Sequence, residues 1–287
     1  MACYNSNVIV DFHTHILPPR LIEKREELVK KDPRFAEIYS NPKAKLATVD
    51  DLISSMDKDG IDLSVVLNFG WSSPELCHET NDYIMEAVSR YPDRLVGFCT
   101  IQPKSEEAIA ELERCIQGGI RGLGELRIEV QTLANKEIMS PIVKIAEQKG
   151  LIFLTHTSEP VGHSYPGKGD LTPEVIFRFI TDFPNLCLVC AHWGGGLPFY
   201  ALMPEVAEAL KNVFFDTAAS PFLYKNEVFN QVAQLVGADK ILFGSDYPLI
   251  TQSRIVRVVQ QREDLSPEVK AAILGENARR LLNLNPR

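Results

Sequence analysis

The chain has 287 residues, 45% of them hydrophobic and 24% charged, with 30 Lys plus Arg against 38 Asp plus Glu. This is the composition of a soluble globular protein, and no apolar run reaches the roughly 18 residues that a membrane-spanning helix needs. The net charge of −8 argues against binding to nucleic acid or to an anionic membrane surface. Because the N-terminus carries no leader pattern, we expect a cytoplasmic protein.

Short apolar runs alternate along the chain with segments of helical periodicity. The runs predict eight buried strands at 7–12, 63–69, 95–101, 119–126, 151–155, 186–191, 213–217 and 241–244. The periodic segments predict helices at 50–58, 81–90, 106–117, 138–149, 173–182, 204–211, 227–235 and 267–284.

Eight strand–helix units predict an α/β fold, a single (β/α)8 TIM-barrel domain over residues 1–287. A doubly wound open sheet is the alternative. That fold usually has a glycine-rich turn after the first strand, whereas this sequence has His13-Thr14-His15 there.

The six cysteines are scattered and are expected to be reduced thiols. Cys187 and Cys190 have the CxxC spacing, but they lie in an apolar strand, where positions i and i+3 point to opposite faces. We interpret them as small buried residues.

Ionisable residues gather at the predicted strand ends. The reactive groups of a parallel barrel lie at the carboxyl ends of its strands, so these side chains are expected to converge. They are His13 and His15 on strand one, Glu125 on strand four, His156 on strand five, His192 on strand six and Asp246 on strand eight.

This set predicts a catalytic metal site. Residues i and i+2 of a strand share a face, so His13 and His15 can bind one ion, although the pair alone is equally compatible with two core or capping histidines. Further imidazoles with a carboxylate make a usual zinc ligand set, which also suits Mn²⁺, Fe²⁺ and Co²⁺. We expect one divalent ion, most readily Zn²⁺.

Three stretches resemble a known family: 11–18 (DFHTHILP), 191–196 (AHWGGG) and 241–248 (ILFGSDYP), supported by 81–82, 91–97 and 277–282. In combination they resemble the amidohydrolase-related metal enzymes of the aminocarboxymuconate semialdehyde decarboxylase type, over almost the whole chain. The resemblance implies that His13, His15, His156 and Asp246 hold a divalent metal, and that His192 orients or activates water or substrate. It also implies a homo-oligomer, expected as a dimer.

Glu125 departs from the decarboxylases and resembles the strand-four glutamate of TatD-type metal hydrolases. If Glu125 is a ligand, a second ion becomes possible and hydrolysis is favoured. The alternative is an ion pair with Arg127 at i+2, and the sequence leaves both open.

The leading functional prediction is hydrolysis of a small carbonyl compound, a lactone, amide or ester, by a metal-activated water whose proton passes to Asp246. Either the metal or His192 polarises the carbonyl. The alternative is decarboxylation of a small aromatic or muconate-like acid by the same residues. That reaction needs a cation for the substrate's carboxylate, for which Arg20, Arg127 and Lys168 are candidates. A non-enzymatic barrel with a structural metal is disfavoured, because structural zinc is normally closed by four ligands, often cysteines.

Three aromatic residues at strand ends, Trp71, Trp193 and Tyr247, are predicted either to stack on a planar substrate or to cover the barrel mouth. Residues 158–170 are predicted to form a mobile lid. The insertion 18–48 is expected to cap the substrate pocket or to contact a partner subunit.

Overall fold

The structure is a computed structural model that describes residues 8–284. Its eight strands are parallel, and each pairs with the next one in chain order. The strands are β1 (Val10–His15), β2 (Leu63–Leu67), β3 (Leu95–Cys99), β4 (Gly122–Leu126), β5 (Ile152–Thr155), β6 (Leu188–Cys190), β7 (Val213–Asp216) and β8 (Ile241–Leu242).

The segment that follows β8 pairs with β1 and closes the sheet. The Phe12 N–H donates to the carbonyl of Phe243 at 2.7 Å, and the Asp246 N–H donates to the carbonyl of His13 at 2.9 Å. The His15 N–H donates in turn to the carbonyl of Tyr247 at 2.7 Å. The predicted (β/α)8 barrel is therefore confirmed, and the doubly wound open sheet is wrong.

Helices fill the connections between the strands. Each predicted helix overlaps one in the structure, but the helix predicted at 81–90 begins at Pro74, and the last predicted helix is interrupted by a π-helical turn at Ala272–Glu276. The helix Gln252–Gln260, which follows β8, was not predicted. None of the helices in residues 8–284 has the length and apolar character needed to cross a membrane. The α-helices are Pro19–Glu23, Arg25–Lys31, Pro33–Tyr39, Val49–Asp59, Pro74–Arg90, Ala108–Gln117, Val130–Leu133, Lys136–Lys149, Pro173–Asp182, Pro204–Ala209, Ser220–Leu223, Val228–Val236, Gln252–Gln260, Pro267–Ala271 and Asn277–Leu281.

A shift of strand register in β1 determines which of its side chains face the barrel interior. Phe12 is fully buried among inward-facing strand residues and lies edge-on to Phe98, with ring centroids 5.9 Å apart. Strict alternation would send His13 to the opposite face. The pairing with β2 shifts between Asp11 and Thr14, an irregularity that can turn a side chain toward an active site, and His13 is buried on the inner side.

The insertion at residues 18–48, which we call the cap segment, forms three short helices and packs against the loop after β2. Phe35 of the cap segment stacks on Trp71, with ring centroids 5.4 Å apart and an interplanar angle of 10°. Asp32 joins the same two parts of the chain, because its carboxylate accepts the N–H of Phe35 at 3.0 Å and that of Ser72 at 2.8 Å. The cap segment is thus fixed over one side of the barrel mouth.

Gly275 in the π-helical turn lies directly against the backbone that leads into β1. A Cβ atom at this position would overlap the carbonyl oxygen of Val8. We expect Gly275→Ala to lower the free energy of unfolding by about 1–3 kcal/mol, as overpacking of a filled site does. Denaturant unfolding measures the change, with the exposed neighbour Glu276→Ala as the control. Equal stability of the two variants would contradict this packing.

Candidate metal centre

The six ionisable residues singled out at strand ends meet at the carboxyl end of the barrel; together we call them the inner cluster. Its first part joins β1 to the segment after β8. The Nε2 atoms of His13 and His15 are 3.0 Å apart, and Oδ1 of Asp246 is 3.7 Å from the first and 3.4 Å from the second. Both imidazoles are buried. The three potential ligand atoms of His13, His15 and Asp246 all lie within 4.8 Å of one another.

Glu125 on β4 connects this part of the cluster to the other two histidines. Its Oε1 accepts a hydrogen bond from Nδ1 of His156 at 2.8 Å and lies 3.4 Å from Nε2 of His192. Its Oε2 lies 3.8 Å from His15 and 4.0 Å from His13. Glu125 therefore lies between the two groups of donors, and His156 contacts Glu125 more closely than it contacts the first group.

The alternative ion pair between Glu125 and Arg127 does not form. Nη2 of Arg127 contacts the carbonyl of Gly167 at 2.8 Å and Oε2 of Glu37 at 3.2 Å instead. Among residues 8–284 the contacts of the Glu125 carboxylate are with imidazoles. The structure thus places Glu125 among the candidate ligands.

Asp216 at the end of β7 orients two members of the cluster, and the sequence reasoning missed it. Its Oδ2 accepts the Nδ1–H of His13 at 2.8 Å. Its Oδ1 accepts the backbone N–H groups of His192 at 2.9 Å and Ala218 at 3.0 Å. The available signal was a carboxylate at the end of a predicted buried strand, the same criterion that identified Glu125.

Two members of the cluster have left-handed backbone conformations. The φ angles are +56° at His192 and +67° at Asp246, values that non-glycine residues adopt at an energetic cost. The hydrogen bonds from the His192 N–H to Asp216 and from the Asp246 N–H to His13 hold these conformations. Strain compensated in this way is typical of functional sites.

The buried carboxylates of the inner cluster attract a cation. Burial lowers the pKa of His13, but the adjoining carboxylates, foremost Asp216, raise it to about 10. Burial raises the pKa of Asp246, but the hydrogen bond with His15 and the charges of nearby imidazoles lower it to about 2. Glu125, despite its burial, has a pKa well below its ordinary value because of His156 and His192. The cluster thus holds carboxylates that attract a proton or a metal ion.

Two imidazoles show that a metal ion fits this place. Nδ1–H of His13 is used by Asp216 and Nδ1 of His192 faces the carbonyl of Ala218 at 3.3 Å, so in the neutral rings Nε2 is the lone-pair nitrogen. Nε2 of His13 lies 3.0 Å from Nε2 of His15, and Nε2 of His192 lies 3.4 Å from Oε1 of Glu125, a carboxylate oxygen that can only accept. Two ligands of one ion at 2.0–2.2 Å are about 3.0–3.4 Å apart, which matches the separations around His15. The residues present therefore fit a divalent metal.

A cavity of ≈520 Å³ opens above the inner cluster. The cap segment supplies part of its wall, and the 158–170 loop supplies another part, so both segments lie where the sequence predicted a cap and a lid. Three cations are in the wall, Arg127, Lys43 and Lys45. The aromatic side chains of the wall, apart from the histidines, are Tyr39, Phe69, Tyr165 and Phe222.

The structure corrects the expected placement of the three strand-end aromatics. Trp71 and Trp193 are fully buried and donate their indole N–H groups to Thr80 and Ser220, so neither indole lines the cavity. Tyr247 lines a separate surface groove. Of the predicted substrate-binding residues, the structure brings only Arg127 to the cavity.

Two other candidate cations lie away from the cavity. Arg20 is exposed and pairs with Glu79. The ammonium group of Lys168 contacts backbone carbonyls of its own loop, those of Val161 and His163. Arg127 is therefore the member of the predicted trio that can meet a bound substrate.

A family model described as amidohydrolase matches residues 10–284 of the chain. The chain belongs to the amidohydrolase family. It is an enzyme, and within that family it is similar to aminocarboxymuconate semialdehyde decarboxylases. The sequence resemblance predicted this membership, and the match confirms it.

Among its relatives, the chain is 25% identical to 2-amino-3-carboxymuconate-6-semialdehyde decarboxylase of Dictyostelium discoideum, over 96% of this chain and 92% of the relative. Its fold matches the crystal structure of 5-carboxyvanillate decarboxylase from Sphingomonas paucimobilis with a TM-score of 0.77, at 17% identity and over 97% and 99% of the two chains. It also matches dihydroxybenzoic acid decarboxylase from Polaromonas sp. JS666, solved with manganese and 2-nitroresorcinol, with a TM-score of 0.75, at 19% identity and over 98% of both chains.

These relatives correct the leading functional prediction. They are named decarboxylases of aromatic or muconate-type acids, and none of the three is named as a hydrolase of lactones, amides or esters. Hydrolysis was therefore the wrong choice between the two predicted reactions. The prediction of hydrolysis from Glu125 failed because a glutamate on strand four indicates a possible metal ligand. It does not indicate which bond of the substrate is broken.

Proposed function

We propose that this protein is a metal-dependent decarboxylase of a small aromatic or muconate-like carboxylic acid. The observation that carries the proposal is the inner cluster at the floor of a ≈520 Å³ cavity whose wall combines aromatic rings with three cations. Such a cavity accommodates one small planar anion, with its carboxylate next to the metal ligands. The names of the relatives support the same reaction.

The metal would be held by His13, His15 and Asp246, with His156 and Glu125 as the adjoining donors. Nitrogen and oxygen ligands of this kind suit zinc and manganese alike, so we propose either Zn²⁺ or Mn²⁺ as the resident ion. When bound, the ion supplies positive charge that binds substrate oxygens and stabilises the negative charge that develops as the carbon–carbon bond breaks. The hydrogen bond to Asp216 keeps the proton of the neutral His13 ring on Nδ1, so that Nε2 is the nitrogen that can bind the metal.

Asp246 moves the proton in this proposal. It lines the cavity and lies beside His15, so its carboxylate can take up a proton from an adjoining imidazolium or from water and pass it on to the substrate carbon that bears the carboxylate. The bond from this carbon to the carboxylate carbon then breaks, its electron pair stays with the substrate carbon, and CO₂ leaves. Asp246 is then ionised again, and the product carries hydrogen where the substrate carried the carboxylate.

His192 orients the substrate and the cap segment excludes water. The ring of His192 is buried in the cavity wall with Nδ1 facing the carbonyl of Ala218. Burial lowers its pKa, but the carboxylates of Glu125 and Asp246 raise it above its ordinary value, so in its protonated form its Nε2–H can donate to an oxygen of the bound acid. Residues of the cap segment and of the 158–170 loop cover the cavity, which strengthens the charge interactions inside. A homodimer stays a prediction.

Isotope incorporation tests the proposed reaction. The protein is loaded with Mn²⁺ or Zn²⁺ and incubated in D₂O with 2-hydroxybenzoate, 2,6-dihydroxybenzoate and 4-hydroxyisophthalate. We expect CO₂ release from at least one acid and a product with one deuterium at the carbon that lost the carboxylate. Lactones, amides and esters of similar size are the comparison. Hydrolysis of these compounds without CO₂ release from any acid would refute the proposal.

A further inference from the structure

The 158–170 loop begins at a buried serine, Ser158, two residues after the candidate ligand His156. Ser158 is fully buried, and its backbone N–H donates to the carbonyl of Leu171 at 3.0 Å, so the two ends of the loop meet there. A Cβ atom at Gly195 would overlap the carbonyl oxygen of Ser158, so the segment after β6 packs directly against this backbone. Ser158 is therefore fixed in the barrel, and the loop extends from it.

The Ser158 hydroxyl joins the loop to His156. Its Oγ lies 3.1 Å from Nε2 of His156 and accepts the backbone N–H of Gly169, near the other end of the loop, at 3.0 Å. The second ring nitrogen of His156, Nδ1, faces the inner cluster and donates to Oε1 of Glu125 at 2.8 Å. Three hydrogen bonds thus connect the Glu125 carboxylate, through the imidazole and the hydroxyl, to the backbone of the loop.

A hydroxyl group can serve both tautomers of His156. A neutral imidazole carries one proton, and the nitrogen without it is the one that binds a metal. In this structure Nδ1–H donates to Glu125, so the Ser158 O–H donates to Nε2. If Nδ1 binds an ion instead, the ring proton lies on Nε2, and Nε2–H donates to Oγ of Ser158. The bond between the two residues is kept, but its direction is reversed and the hydroxyl hydrogen of Ser158 is released.

Tyr165 offers an acceptor for the released hydrogen. Its hydroxyl lies within hydrogen-bonding range of Ser158 and donates its own hydrogen to Glu159 at 2.9 Å, so its oxygen can accept. Tyr165 also lines the cavity. A bond from Ser158 to Tyr165 would therefore add a contact between Ser158 and the part of the loop that forms the cavity wall.

We propose that Ser158 is a positioning residue that couples the inner cluster to the 158–170 loop: a divalent ion bound at His156 frees the Ser158 hydroxyl to bind Tyr165, which orders the loop over the cavity. The coupling is reciprocal, because an ordered loop must favour binding of the ion by the same factor. The cavity wall is then complete when the metal is present. The proposal rests on the metal centre of the proposed function and is independent of the bond that the enzyme breaks.

Hydrogen exchange of the protein with and without Zn²⁺ tests the coupling. Mass spectrometry of peptides from the 158–170 loop should show amide exchange that is about 3–10-fold slower with saturating Zn²⁺, the effect of one added hydrogen bond. The turn at 91–94 is the reference, because it precedes β3 at the opposite end of the barrel and is closed by a bond from the Arg94 N–H to the carbonyl of Tyr91 at 3.0 Å. Its exchange should not change. Loop exchange that does not respond to Zn²⁺ would overturn the proposal.

Ser158→Ala removes the hydroxyl that carries the coupling. Exchange from the loop should no longer respond to Zn²⁺, and the Zn²⁺ affinity, titrated against a chelator, should fall by about tenfold. Ser158→Thr keeps a hydroxyl and should keep the response. Ser220→Ala is the matched control, because the Ser220 hydroxyl is also buried and bonded twice, to Trp193 at 2.7 Å and to Thr217 at 2.6 Å. A normal loop response in Ser158→Ala would contradict the assigned role.

Tyr165→Phe tests the coupling without changing His156 or Ser158. The ring stays and only the hydroxyl is removed, so the loop response should fall to less than half. By reciprocity the Zn²⁺ affinity should fall by the factor that the response loses, about 3–10-fold. Tyr200→Phe, at an exposed tyrosine, is the control and should change neither quantity. An unchanged Zn²⁺ affinity in Tyr165→Phe would show that the hydroxyl only stabilises the loop and would overturn the coupling.

The two proposals fail in different ways, since no substrate enters these measurements. A loop that Zn²⁺ slows through Ser158, in a protein that releases CO₂ from none of the acids, would support the coupling and count against the decarboxylase. CO₂ release with loop exchange that ignores Zn²⁺ would support the decarboxylase and overturn the coupling. A protein that binds no divalent ion would overturn both.

Discussion

Replacing Asp246 with Asn is expected to lower kcat for CO₂ release by about 10²–10⁴-fold. The amide has nearly the same shape and keeps one oxygen that can face the metal, but it cannot carry the proton that replaces the carboxylate. Its backbone is held at φ +67° by the hydrogen bond to the carbonyl of His13, an interaction that the substitution leaves in place. The loss should therefore appear in kcat more than in metal content.

Three measurements separate this effect from damage to the site. Metal analysis of Asp246→Asn should show at least half of the metal content of the unmodified protein, and the affinity for benzoate, an unreactive acid, should change by less than about threefold. The exposed Asp239→Asn is the control for an Asp-to-Asn change and should keep full activity. An Asp246→Asn variant with full metal content and more than about a tenth of normal kcat would move the proton-transfer role to His192.

The members of the inner cluster were predictable because the barrel leaves few alternatives for strand-end residues. Once eight buried strands are assigned, parallel pairing brings their carboxyl ends to one edge, so His13 on β1 and Glu125 on β4 must approach each other although they are far apart in the sequence. No local sequence pattern, however, predicts the register shift within β1 that turns the His13 side chain toward the barrel interior. The left-handed conformations of His192 and Asp246 are likewise set by hydrogen bonds to distant residues.

The substrate-contacting aromatics were not predictable because a strand end fixes a residue's position and leaves its side-chain direction open. Trp71 follows β2, as the sequence indicated, but its ring is held by Phe35 of the cap segment. The rings that do line the cavity come partly from that same insertion, as Tyr39 does, where the sequence offers no strand pattern to orient them. The choice between hydrolysis and decarboxylation failed for a related reason, since both reactions use the same ligands.

Asp216→Asn is expected to weaken metal binding by about 10–100-fold, although Asp216 is not itself among the proposed ligands. The carboxylate accepts three N–H groups, one from the ring of His13 and two from the backbone at His192 and Ala218. An amide has only one oxygen, so its NH₂ group must face a donor. Either His13 loses the partner that orients its ring, or the turn that carries His192 loses two hydrogen bonds.

A second buried carboxylate makes a matched control for this loss. Asp32 also accepts three N–H groups, in its case all from the backbone, at Arg34, Phe35 and Ser72, and it lies outside the inner cluster. Both substitutions should lower the free energy of unfolding by about 1–3 kcal/mol, because each leaves a buried donor without its acceptor. Titration against a chelator should show weaker metal binding in Asp216→Asn alone. Equal metal affinity in the two variants would mean that His13 keeps its orientation through β1 and that Asp216 serves only to stabilise the fold.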